Sequence, residues 1–88
     1  MATLITPDGT LKVVHPKAGI GKKFTLKEMQ SIVEGYVEYV RLQNGGIAVV
    51  NEDGKLIGLQ CNPRASLTTG YQLVGNVLLC DVSELRLD

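Results

Sequence analysis

Glycine-bearing turns cut this chain into short pieces, and that punctuation constrains the fold more than any other feature. Pro7-Asp8-Gly9-Thr10, Gln43-Asn44-Gly45-Gly46 and Asn51-Glu52-Asp53-Gly54 each border runs of β-prone residues. In the first, Pro presets φ, Asp can bond its own backbone and Gly accepts positive φ. In the second, Asn-Gly is the strongest short-range signal for a type I′ hairpin turn. The runs they separate are Leu4-Ile5-Thr6, Leu11-Lys12-Val13-Val14-His15, Tyr36-Val37-Glu38-Tyr39-Val40-Arg41-Leu42 and Ile47-Ala48-Val49-Val50. Runs of this length and composition read as short strands joined by hairpins. Pro16 lacks a backbone donor and should stop the second strand. Ile47 to Val50 shows no polar alternation, so it reads as buried on both faces, near the middle of a sheet.

Residues 74–80 read as the last strand, 62–70 as a polar loop and 83–88 as a tail. Residues 55–61 suit either a strand or a short helical turn. Asp8-Gly9-Thr10-Leu11 echoes Asp53-Gly54-Lys55-Leu56, and two unrelated tight turns explain the echo better than an internal repeat.

One segment has a different period. Leu26, Met29, Ile32, Val33 and Tyr36 recur at helical spacing, with polar residues at 27, 28, 30, 31 and 34. Thr25 and Glu28 match a capping box, in which each side chain satisfies a free N–H of the other's backbone. Gly35 stands where a left-handed C-cap belongs. These features predict a helix over 26–34. The expected architecture is α+β: a small mixed, mostly antiparallel sheet of about five strands with one amphipathic helix packed on a face.

Eighty-eight residues make a single domain, 1–88, at the small end of what folds alone. The chain is 44% hydrophobic yet holds one Phe and three Tyr, so the core must be aliphatic. Nine basic and nine acidic side chains cancel, which argues against a DNA- or RNA-binding protein with a strongly basic face. The apolar runs fall far short of the ~20 residues that span a bilayer, and no basic-then-apolar leader opens the sequence. We therefore expect a cytoplasmic protein with no membrane contact, its two cysteines free thiols.

Catalytic and metal chemistry find little support. His15 is the only histidine, and no spacing pairs it with Cys61 or Cys80 as nucleophile and base. Both cysteines follow apolar runs, as buried structural ones do. One His and two Cys nineteen positions apart lack the paired spacing of a zinc site. Residues 51–54 lack the alternating oxygen ligands of a calcium loop. We expect no catalytic residue, no metal and no cofactor.

Binding chemistry is better represented. Lys12, Lys17, Lys22, Lys23 and Lys27 fall in a stretch with no acid between Asp8 and Glu28. Four of them flank Gly19, Gly21 and the predicted helix start, where free N–H groups and the helix dipole favour an anion. The segment Gly19-Ile20-Gly21-Lys22-Lys23 fails as a nucleoside-triphosphate loop, because Pro16 and Lys23 occupy positions that need Gly and Ser or Thr. The bland alternative is a solvated connector. Asn62, Arg64 and Ser66, within Asn62-Pro63-Arg64-Ala65-Ser66, form a second candidate: the Arg fork suits carboxylate or phosphate. Here the alternative is an Asn that knits a loop together. Tyr36 and Tyr39 point to opposite faces of a strand, so at most one is core.

Three stretches resemble a known family. They are "MQSIVEGYVEYVRL" from Met29, "VVNEDGKLIGLQCNPRAS" from Val49 and "VGNVLLC" from Val74, joined by the opening "ITPDGTLKVV". All are similar to small uncharacterised proteins of phages, plasmids and their bacterial hosts, the domain of unknown function numbered three-eight-four-six. The Asn-Pro-Arg-Ala element and the downstream Gly-Asn-Val-Leu-Leu carry the specificity. The connector "HPKAGIGKKFT" is longer and more basic than the resemblance leads one to expect. What the resemblance implies is a mobile-element setting, in which small domains act as antagonists of host defence.

Together these readings give a leading expectation and two rivals. The leading one is a non-enzymatic, homo-oligomeric phage or mobile-element protein that sequesters a phosphate-bearing, nucleotide-like signalling ligand through Lys17, Gly19, Gly21, Lys22, Lys23, Asn62, Arg64 and Ser66. The first rival is a protein–protein interaction module that inhibits a host protein, and the second is a small hydrolase.

Overall fold

A computed structural model describes residues 2–85. Five strands form one sheet: β1 (Ala2–Ile5), β2 (Leu11–Val14), β3 (Val37–Arg41), β4 (Gly46–Asn51) and β5 (Val77–Asp81), in the order β2-β1-β5-β4-β3. Every adjacent pair is antiparallel. The parallel component expected of a mixed sheet is reduced to an isolated bridge between Phe24 and Leu85. Two helices, α1 (Leu26–Val33) and α2 (Pro63–Thr69), complete an α+β fold.

Strand side chains alternate between faces, and the two buried clusters follow that alternation. Ile47 and Val49 join Phe24, Met29, Val33 and Leu78 in one, while Ala48 and Val50 join Ile5, Ala65, Leu73 and Val77 in the other. Thus α1 covers one face of the sheet and α2 the other, where a single helix on a single face was expected. Strand β4 is buried on both faces, as its unbroken apolar run predicts.

Both hairpins use one kind of turn, and it is not type I′. Gly9 (φ 91) and Gly45 (φ 88) are left-handed, whereas among the described non-glycine residues only Glu34 has positive φ. Gly9 N–H donates to Thr6 O at 2.9 Å and Gly45 N–H to Leu42 O at 3.1 Å. Each loop is therefore a type I turn closed by a left-handed glycine, the common three-residue hairpin. The Asp8 carboxylate accepts from Thr10 N–H, and the Asn44 amide oxygen from Gly46 N–H, at 3.0 and 2.9 Å. The true internal likeness is between these two loops, not between 8–11 and 53–56.

Helix α1 starts as predicted: Thr25 is the N-cap and forms a reciprocal capping box with Glu28. Its end differs. Glu34, not Gly35, takes the left-handed conformation (φ 63). Gly35 is required for space instead, since a Cβ there would sit 2.6 Å from Asn51 Nδ2. That amide donates to Val33 O and Glu34 O at 3.0 and 3.3 Å, and Asn76 Nδ2 donates to Ile32 O at 2.9 Å. Two side chains from elsewhere in the chain thus satisfy carbonyls that a helix end leaves free.

The region 62–70 is a helix, not a polar loop. Asn62 caps α2, Pro63 is at its start and Gly70 (φ 80) ends it. Residues 55–61 are not a strand: Ile57 N–H donates to Asp53 O and Leu59 N–H to Gly54 O, forming overlapping turns, and Cys61 alone bridges to Val74. The last strand therefore begins at Val77. Of the expected tail, Val82–Glu84 is one 3₁₀ turn and Leu85 is buried, while 86–88 lie outside the described residues.

Candidate functional site

The two halves of the sequence-derived site lie on opposite faces of the sheet. Lys17, Gly19, Gly21, Lys22 and Lys23 belong to the connector that leads into Phe24 and α1. Asn62, Arg64 and Ser66 belong to α2. No single ligand of nucleotide size bridges the two groups through a packed sheet.

On the α1 side, Lys17, Lys22 and Lys23 are exposed, and Gly19 (φ 122) and Gly21 (φ 81) turn the backbone with open space around them. An anion already occupies this region, and it is internal. The Glu28 carboxylate accepts from Lys17 N–H at 2.7 Å and from Thr25 N–H at 3.0 Å, and also from the Thr25 hydroxyl. Desolvation pushes the Glu28 pKa up, but these hydrogen bonds and the Lys17 charge together hold it below its ordinary value. Thr25 Oγ1 meanwhile accepts from Glu28 N–H. Much of the hydrogen-bonding capacity expected to greet a phosphate is used by Thr25 and Glu28.

On the α2 side, two of the three residues hold the backbone. Asn62 is fully buried; its Nδ2 donates to Ile5 O at 2.9 Å and Gly75 O at 2.8 Å, and its Oδ1 accepts from Ala65 N–H at 3.1 Å. Ser66 Oγ donates to Asn62 O and accepts from Leu73 N–H. Arg64 is exposed and lines an open cleft of about 570 Å³ with Asp8, Gly9, Pro63 and Leu67.

Two further clefts adjoin the same side. One of about 280 Å³ has a floor of Val40, Val50 and Leu73 and a rim of Glu38, Glu52, Lys55 and Tyr71. The other, about 230 Å³, is bordered by Thr3, Leu42, Thr68 and Leu79. Helix α2 is seven residues long and leaves the flanks of its sheet face open. Leu67 on its outer side is 88% exposed, and Leu56 beside the first cleft is 87% exposed. The sequence hides this face because 62–70 reads as a polar loop. The signals were present: an Asn-Pro start and a Gly stop are helix punctuation, and Leu67 is an apolar residue that such a short helix cannot bury.

The thiols are placed differently from one another. Cys80 is buried, and desolvation first, then Glu84 and Asp81, pushes its pKa up to about 12. Cys61 is exposed rather than buried as expected. Tyr36 and Tyr39 both lie at the surface. Among the described residues, no group of three or more His, Cys, Asp or Glu could hold a metal ion, and no helix is long and apolar enough to cross a membrane.

A family profile described as "Domain of unknown function (DUF3846)" matches residues 2–85. No curated protein and no solved structure matches the chain.

Proposed function

The chain belongs to the family of that domain of unknown function, and from this premise we propose that it is a non-enzymatic binding module that captures a partner protein on the α2 side of its sheet. One observation carries the reading: three clefts open on the sheet face that α2 only partly covers, two of them bordered by α2 itself, and the apolar side chains of Leu67 and Leu56 stand exposed among them. Exposed apolar groups rimmed by charged ones are the usual marks of a protein-docking surface. Arg64, Glu38 and Glu52 supply that rim, and Arg is enriched where binding energy concentrates. In the mobile-element setting that the family resemblance implies, the partner is a host protein whose activity the bound domain blocks.

The test compares immobilised wild type with Leu67→Glu and Arg64→Ala in a bacterial host lysate. Both sites are exposed, so both variants should melt within about 0.5 kcal/mol of wild type. A host protein retained by wild type and lost to Leu67→Glu supports the reading. Equal retention by all three overturns it.

A second reading, sequestration of a phosphate-bearing ligand, draws on the exposed Lys17, Lys22 and Lys23 beside the glycine turns. A ligand at a hundred times its Kd adds about 2.7 kcal/mol of stability. A thermal-shift screen with nucleotides should then show a rise that the joint Lys22→Gln, Lys23→Gln variant loses. Identical melting with and without nucleotides counts against it.

A further inference from the structure

The sheet has two free edges, and they are treated differently. Along β3, Glu38 and Arg41 bring charge to the edge, and the Tyr71 hydroxyl donates to Arg41 O, at a long 3.5 Å. Charges and covering groups are how proteins blunt an edge against unwanted pairing. Edge strand β2 has only Lys12, while Leu11 and Val13 are 48% and 49% exposed.

The direction of the free backbone groups follows from the ladder. Thr6 N–H donates to Thr10 O, which makes 6 and 10 a hydrogen-bonded pair. Antiparallel pairs alternate between bonded and non-bonded, so the β1–β2 register makes Leu4–Lys12 and Ala2–Val14 the next bonded pairs. The N–H and C=O groups of Leu11 and Val13 therefore point away from β1, into open space.

We propose that a second copy of this chain pairs with β2 along that edge, antiparallel, about a two-fold axis at Val13. A two-fold axis perpendicular to the sheet keeps each residue on its own face, so it must pass midway between one residue and the same residue of the second copy. Centring on Lys12 sets two ammonium groups opposite each other. It also forms only four hydrogen bonds, two at each Leu11–Val13 pair. Centring on Val13 sets Lys12 against the second copy's Val14 and Leu11 against the second copy's His15. It forms six bonds, two at the axis and two at each Leu11–His15 pair. In the same register the chain leaving His15 starts beside the other copy's Thr10, so the connector that bears exposed Lys17 begins next to the exposed Asp8 turn. A closed two-fold pair also spends both β2 edges at once, leaving no growing end.

The experiment reads both association and register. Sedimentation equilibrium of the wild type should show a dimer at high micromolar concentration. Val13→Lys places like charges on the axis and should weaken the dimer at least tenfold. Val13→Pro should do the same while the monomer stays folded, because the N–H it removes points away from β1. For register, single cysteines are placed in a Cys61→Ser background, where the remaining Cys80 is buried. Directly opposed bonded residues lie about 5.5 Å apart between Cα atoms, within disulfide reach. Val13→Cys should therefore cross-link under mild oxidation in preference to Lys12→Cys. A wild type that stays monomeric, association unchanged in Val13→Lys, or preferential cross-linking at position 12 would each overturn the proposal.

Discussion

The two helices are nearly the same length and are held in opposite ways. Helix α1 buries Met29 and Val33 completely and packs them with Phe24, Val49 and Leu78. Helix α2 buries only Ala65. What fixes α2 is its cap: Asn62 ties the helix start to β1 through Ile5 O and to the approach to β5 through Gly75 O, and Ser66 ties it to Leu73. One helix is a hydrophobic plank and the other a hydrogen-bonded bracket. The difference teaches how the fold can leave one side of its sheet partly open. A helix positioned by buried amides does not need an apolar underside, so its one large apolar side chain, Leu67, is left facing outward.

That contrast is broken most severely by removing what each helix depends on. Met29→Ala empties a fully buried position under α1, and core truncations of this kind cost about 2–5 kcal/mol. We expect a loss of about 3–4 kcal/mol in urea denaturation. Asn62→Ala removes no comparable volume but strands two buried carbonyls and one helix N–H. With about 1–3 kcal/mol at stake for an unsatisfied buried group, we expect a loss of about 3 kcal/mol. An Asn62→Ala variant as stable as wild type would show that α2 rests on packing after all, and the contrast between the helices would fall.

Legibility in the sequence follows the same division. Helix α1 was readable because its apolar residues repeat at helical spacing and its N-cap uses a recognised pair. Strand β4 was readable because an unbroken run of Ile47 to Val50 has no polar face to expose. Helix α2 was not, since periodicity detects a buried stripe and Ala65 alone does not make one. The asparagines were only partly legible. Asn62 could be read as a residue that knits its own loop, but the 57 positions separating it from Ile5 are invisible to any local pattern. Asn51 looked like the start of a turn, and it is also the C-terminal clamp of α1. As for the candidate site, the acid-free lysine run is a charge pattern that the sequence displays directly. What the pattern hid was Glu28, the next acid along the chain, folding back to bond Lys17 N–H.

A smaller effect sharpens the account of how α1 ends. The sequence suggests Gly35 as the left-handed residue, and the fold uses Glu34 there. Gly35→Ala should therefore cost about 1–3 kcal/mol, not through backbone strain but by driving a Cβ into the Asn51 amide that holds Val33 O and Glu34 O. Glu34→Gly should do the reverse and stabilise by up to about 1 kcal/mol, because glycine adopts positive φ without the steric penalty of a side chain. Thermal melts of the two single variants should move in opposite directions. If Gly35→Ala raises the melting temperature, the clamp at the end of α1 is not what that glycine protects.

The smallest expected effect lies at the start of α1, where the connector meets the capping box. Glu28 titrates below its ordinary value of 4.5 in the folded protein, so the folded state binds its proton less readily than the unfolded chain does. By linkage, its contribution is fully present above that ordinary value and is lost as pH falls through the lowered one. Glu28 is half-buried at the surface, where solvent still screens its charge and keeps the contribution modest. Glu28→Gln keeps the shape and removes the charge. The stability difference between wild type and variant should therefore be constant from neutrality down to about pH 5, then shrink under more acid conditions. Asp8 also sits below its ordinary value, held first by the Thr6 hydroxyl and then by Thr10. That titration is common to both proteins and cancels in the difference. Raising the salt concentration should shrink the Lys17 charge's share while leaving the bonds to Lys17 and Thr25 N–H in place. A difference that stays flat through pH 3 would mean that Glu28 is no more tightly engaged in the folded state than in the unfolded one. The Lys17 and Thr25 N–H groups at the connector would then be open to an outside anion, and the phosphate-ligand reading would gain the ground that Glu28 now occupies.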